Sequence, residues 1–246
     1  MNTLLVVQTS GTTSLPLSSF SFANSDFETE LRSECAKVKS YANSGRKFYD
    51  QKQYQNALGQ FQQQASWSAF CAMHSENSDV SFSENAITTA FNNVGLSYFK
   101  SGKPQWARAW FSVFPQAKSS QFNLKQLPPP QKTQNLAGIY IQHAGFGHWN
   151  TIQVKRIKNS YQIHFNGLYM GLNSMIYGPN IGEFKTTMPV NKNQTAYRSD
   201  DCKINLNFAF DPKQGQQVIL KQDSGSSGCG FGHNVYADGH YLKVES

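Results

Sequence analysis

The chain closes on CGFGHNVYADGHYLKVES, residues 229–246, where Cys229 stands among Gly228, Gly230, Gly232 and Gly239 with His233 and Asn234 behind it. A nucleophilic thiol, a metal loop and a disulfide that pins a turn could each use these residue types. The cysteine spacing separates them. There are four cysteines, Cys35, Cys71, Cys202 and Cys229, and no pair is spaced Cys-x-x-Cys, as zinc ribbons and thioredoxin-type sites require. An even, widely spaced set reads as two structural disulfides made in an oxidising compartment. Four buried thiols in a cytosolic protein are the competing reading. The glycine run neither follows a strand nor opens a helix, so it is not a dinucleotide-binding fingerprint.

Five of the six histidines, His143, His148, His164, His233 and His240, fall in the second half of the chain. No His-x-His or His-x-x-x-His pair occurs among them, and few carboxylates lie near, which argues against zinc. His164 alternates with Ile163 and Phe165, so it is expected to face outward from a strand. No Gly-x-Ser-x-Gly elbow is present. The only adjacent carboxylates, Asp200 and Asp201, would point apart on a strand and suit acid/base work poorly. The expectation is a protein that is not an enzyme, with no catalytic, metal-binding or cofactor-binding residues.

The elements around these residues divide at LPPPQKTQ, residues 127–134. Three consecutive prolines favour an extended segment that neither a helix nor a central strand absorbs. Upstream, apolar residues recur at helical spacing; downstream they alternate and β-branched and aromatic residues rise. The expected organisation is a leader or tail at 1–23, helices at 24–126, a linker at 127–135 and an antiparallel β domain at 136–246.

The upstream half repeats itself. VKSYANSGRKFYDQKQYQNALGQFQQQ, from Val38, aligns with TTAFNNVGLSYFKSGKPQWARAWFSVF, from Thr88, matching Gly45 to Gly95, Phe48 to Tyr98, Ala57 to Ala107 and Phe61 to Phe111. The pattern resembles the tetratricopeptide repeat, whose small and aromatic positions it reproduces in both copies. Gln64 and Phe114 depart from it where a small residue is usual. The resemblance implies paired antiparallel helices with a partner-facing surface on the first helix of each pair. By register that surface is Lys39, Arg46, Tyr49, Asn92, Phe99 and Lys100, and its basic members favour an acidic or C-terminal carboxylate ligand. Two repeats bury little by themselves, so helical flanks at 26–36 or 116–126, or the second half, must cap the ends. Ser81 and Glu84 have capping-box spacing and are expected to start the third helix. Cys35 and Cys71 fall at the same end of the first helical hairpin, which predicts a bridge between them and leaves Cys202 to pair with Cys229.

Downstream, eight short alternating segments suit a closed meander barrel or a compact sandwich. They are GIYIQHA, TIQVKRI, YQIHFNG, GEFKTTM, TAYRSD, CKINLNFAF, QVILKQD and HYLKV. The fold class is therefore α+β. Asp238-Gly239 is expected to make a tight turn. Cys202, Cys229, Gly230, Asn234, Val235, Gly239 and Tyr241 resemble the end of small disulfide-bonded β domains of exported bacterial proteins, some lysozyme-inhibitor-like. That resemblance implies export and a binding role. Lysozymes are commonly basic, and so is this chain, at +7, which counts against a lysozyme as the target.

The positive charge is spread without a Lys/Arg run, so no nucleic-acid footprint is expected, and no 18-residue apolar stretch exists to span a membrane. Ser21 and Ala23 have signal-cleavage spacing, although LLVV is short and no basic residue precedes it; residues 1–23 read as the remnant of an export signal. The functional expectation is an exported bacterial binding protein, periplasmic or secreted, that neutralises a wall-degrading enzyme or toxic effector. The alternative is an envelope scaffold whose repeats recruit a partner, and the third reading is a hydrolase with an unrecognised site. The loop Gly228–Asn234 is a further candidate contact, with Phe231 as apolar anchor and His233 as polar contact. Against it stands Phe231 as a cap on the barrel and His233 bonded to a backbone carbonyl.

Overall fold

Among the described residues, apolar residues at three- and four-residue intervals build five helices ahead of the prolines: α1 (Ser19–Asp50), α2 (Tyr54–Met73), α3 (Glu84–Lys100), α4 (Pro104–Phe111) and α5 (Lys118–Gln126). The structure, a computed structural model, describes residues 19–223, 225 and 227–246, with the backbone alone for residues 19–25 and 227. Helix α1 thus begins inside the stretch read as an export signal, and the rest of that stretch lies outside the described residues.

The repeat is visible in individual bonds. The α1–α2 turn closes with Lys52 N donating to Tyr49 O and Gln53 N to Phe48 O; the α3–α4 turn closes with Gly102 N to Phe99 O and Lys103 N to Tyr98 O. Lys52 and Gly102, equivalent in the alignment, both have positive φ. A Cβ on Gly45 would run into the Phe61 ring, and one on Gly95 into the Phe111 ring. Small and aromatic positions therefore recur together because each glycine makes room for one buried phenylalanine.

Gly95→Ala should consequently destabilise the protein. Helix propensity favours alanine by up to about 1 kcal/mol, but overpacking a buried site costs about 1–3 kcal/mol, and Phe111 is only 1 % exposed. Gly59, on exposed α2 surface with nothing within 4 Å of an added Cβ, should gain stability on the same substitution. Opposite shifts in urea midpoint check the pair; a midpoint raised in both would mean Gly95 makes no close contact.

Helix α3 starts at Glu84, but Ser83 caps it, its Oγ accepting from Ala86 N at 3.2 Å. The expected Ser81–Glu84 capping box is not formed, because Ser83 lies directly before the first turn and the methyl group of Ala86, three residues on, offers no acceptor to reciprocate. All the expected caps of the repeats exist: residues 26–36 extend α1, α5 docks on α3, and the β half packs on α4.

After the prolines come eight strands, in the eight places where alternation predicts them: β1 (Gly138–Gly145), β2 (His148–Ile157), β3 (Ser160–Tyr169), β4 (Asn180–Pro189), β5 (Gln194–Ser199), β6 (Cys202–Asp211), β7 (Gly215–Gln222) and β8 (Gly239–Glu245). A short helix, α6 (Ser174–Tyr177), lies between β3 and β4. Every pairing is antiparallel, in the order β4-β3-β2-β1-β8-β7-β6-β5. This is a meander closed through β1–β8 and left without a backbone ladder at one seam. Side chains bridge that seam: Thr186 Oγ1 donates to Ala196 O (3.1 Å), Thr195 Oγ1 to Thr187 O (2.8 Å), and Phe184 stacks on Tyr197. The result is a nearly closed barrel whose interior is filled by Tyr140, Ile152, Phe165, Leu206, Val218 and Tyr241, all at most 1 % exposed.

Both predicted disulfides are formed, Cys35–Cys71 and Cys202–Cys229, with Cα separations of 5.8 and 4.7 Å. Each contributes on the order of 2–4 kcal/mol, and together they point to an extracytoplasmic, oxidising setting. Among the described residues no helix is long and apolar enough to cross a membrane.

The two halves share cores. Trp106, Ala109 and Trp110 of the helices pack with Ile141, Trp149, Leu242 and Val244 of the barrel. At the other end the β1–β2 hairpin tip places Phe146 edge-on against Phe70, 5.1 Å between ring centres, among Phe27, Leu31, Trp67 and Met170.

Candidate partner surfaces

The structure distributes the six residues expected on the helical partner face. Arg46 and Tyr49 of α1 line a concavity of about 330 Å³ with Asp50, Phe61, Asn93 and Leu96. Tyr49 leans edge-on against Tyr54, and burial raises its hydroxyl pKa. Lys39 and Lys100 are exposed farther along their helices, and Phe99 packs partly into the helical core.

Asn92 is a correction. It is buried, donating through Nδ2 to Thr88 O and to the hydroxyls of Ser119 and Ser120, while its Oδ1 accepts from Asn123. Helix α5 covers that face of α3, so the open register is Asn93 and Leu96, one step round the helix. With Asp50 beside Arg46, the groove is less basic than the sequence register implied.

In the closing loop, Phe231 follows the second of its two expected readings, the cap on the barrel. Phe231 is buried over Gly182, its ring 5.8 Å from Phe165, so it belongs to the barrel core and is unavailable as an anchor. Gly232 N donates to Ile181 O (2.9 Å) and Asn180 Nδ2 to His233 O (2.8 Å), which fastens the loop along β4. His233 is exposed, and Asn234 is half-buried with positive φ. Asp238-Gly239 makes no hairpin turn. Asp238 Oδ1 accepts from Gln222 N, Asp238 O accepts from Gln142 Nε2, and a Cβ on Gly239 would collide with the Gln142 amide. The glycine is there for close approach.

What pattern reading missed is an apolar rim. Around the β3–β4 connection Leu172, Tyr177 and Ile181 are 64 %, 61 % and 67 % exposed, with Tyr169, Met73 and Tyr236 also open. His74 Nε2 bonds to Leu172 O at 2.7 Å, placing the end of α2 beside it, and Phe27 of α1 meets the Tyr177 ring. Ile181 and Leu172 are unremarkable in sequence. Ile181 lies on the outward face of β4, out of phase with buried Gly182 and Phe184, and Leu172 lies in the connection before α6.

No protein-family model, curated protein or solved structure matches this chain.

Several titratable groups singled out in the sequence have partners within the fold. His143 Nε2 accepts from Gly147 N (3.1 Å), with Phe91 and Trp149 against its ring. Burial, and then neighbouring His148, push its pKa down to about 4. His164 is paired with Glu183 across β3–β4 at 3.2 Å. Asp200 and Asp201 occupy the β5–β6 turn rather than a strand, because the hairpin closes Ser199 on Cys202. Among the described residues no three His, Cys, Asp or Glu side chains converge as a metal site would require.

Proposed function

We propose that this chain is an exported bacterial protein, periplasmic or secreted, that binds another protein and neutralises it, the target being a wall-degrading enzyme or a toxic effector. The observation that carries this reading is the exposed apolar rim of Leu172, Tyr177 and Ile181. Large apolar side chains gathered on a surface mark interaction sites far more often than isolated ones do. The rim also stands on fixed supports. The Cys202–Cys229 bridge, the Gly232–Ile181 bond and the Asn180–His233 clamp hold its neighbourhood, so little conformational entropy is lost on contact.

The scaffold reading has its own observation, the concavity containing Arg46 and Tyr49. Two variants separate the readings. Partners are captured from envelope extracts, identified by mass spectrometry, and their affinities measured by calorimetry. Under neutralisation, Ile181→Asp weakens a 1:1 complex with a wall hydrolase or effector by roughly 30-fold or more, the scale of a hot-spot residue, and Arg46→Glu leaves it unchanged. Loss confined to Arg46→Glu, with a machinery component captured, establishes the scaffold. A complex untouched by Ile181→Asp rules the rim out as the interface.

A further inference from the structure

Arg108 of α4 and Lys243 of β8 are each 6 % exposed, and among the described residues neither makes an ion pair with a carboxylate. Arg108 Nε donates to Gln105 Oε1 (3.1 Å), Nη1 to Lys213 O (3.0 Å) and Nη2 to Pro128 O (2.7 Å). Lys243 Nζ donates to Asn135 O (2.8 Å). All four acceptors are neutral. A guanidinium carries five N–H hydrogens and an ammonium three, so on each side chain two have no acceptor among the described residues.

Burying a cation without a counter-charge is costly, and carbonyl oxygens repay only part of it. Desolvation lowers the pKa of both groups, with no neighbouring charge acting on either. Both side chains line one cleft of about 540 Å³ between the first turn of α4, the proline segment and β8, with Lys132, Thr133 and Gln216 also on its wall. Glu245 and Ser246 also border the cleft; the Glu245 carboxylate already accepts from Trp106 Nε1 (2.8 Å) and Lys103 Nζ (3.4 Å), and among the described residues Ser246 makes no ion pair with Arg108 or Lys243.

We propose that this cleft is an oxyanion-binding site, in which Arg108 and Lys243 hold a carboxylate or phosphate group of a small ligand or chain end. The planar guanidinium fork suits either group, and the ammonium adds a second charge-assisted bond. The site is independent of the apolar rim and lies where α4, the proline segment and the last strand meet.

The test is a titration of the whole chain with inorganic phosphate, with succinate and with chloride at constant ionic strength, read by amide chemical shifts. Saturable shifts of Gln216, Thr133 and Val244 with phosphate or succinate, absent with chloride, are expected. The tighter of the two anions tells a phosphorylated ligand from a carboxylate one. Lys243→Gln keeps an N–H donor but no charge and should weaken binding at least tenfold. The wild-type titration stands without that variant, so a variant that fails to fold leaves the proposal open to refutation. Shifts that never saturate, that chloride reproduces, or that persist unweakened in a folded Lys243→Gln overturn it.

Discussion

Replacing Trp110 with alanine is expected to remove about 3–5 kcal/mol of stability, the range for deleting a large buried aromatic. Trp110 is 1 % exposed and packs between Phe91 of α3 and Trp149 of β2, with ring centres 5.4 and 5.3 Å away. It is therefore a contact between the halves as much as within one. For a chain of this length the melting temperature should fall by roughly 10 °C. The helical signal in far-ultraviolet circular dichroism and the dispersed ring resonances of Tyr140 and Tyr241 inside the barrel should be lost together. A helical transition that moves down while the barrel signal stays in place would show that the halves fold independently and that the shared cores contribute little.

Acid should destabilise the protein through His143. Its folded-state pKa of about 4 lies below the ordinary value of 6.5, so as pH falls the unfolded chain takes up the proton first. The associated stability is complete above pH 6.5 and is lost progressively down to pH 4, an amount of about 3 kcal/mol. The cause is burial first and neighbouring His148 second, and protonation would also destroy the acceptor that Nε2 offers to Gly147 N. His143→Gln retains an acceptor and removes the titration. Urea midpoints of the two proteins should diverge between pH 6.5 and pH 4, with the variant showing the shallower decline. Parallel declines would assign the acid sensitivity to other groups.

Short-range pattern was enough for much of this protein. Helical spacing, alternation and the proline break foretell the order of helices and strands, because each rests on a backbone period that neighbouring residues alone determine. The same holds for the bridges: a helical hairpin returns Cys71 to the level of Cys35, and with four cysteines the other pair follows. The repeated glycines and phenylalanines are equally local, since each pair meets within one hairpin.

What lay beyond the sequence is which side of an element its distant neighbours cover. Asn92 and Asn93 are adjacent and chemically identical, and only the docking of α5 makes one a buried bond hub and the other part of an open groove. Phe231 and Ile181 read alike as apolar residues, yet the loop fastened along β4 turns the first into the barrel, while the pleat of β4 sets the second outside. Arg108 acquires its meaning from Pro128 and Lys213, and Lys243 from Asn135, contacts between segments as much as 108 residues apart. Periodicity specifies a face for each element; it carries no record of what will pack on that face, and sites made from several elements exist only once that packing is complete.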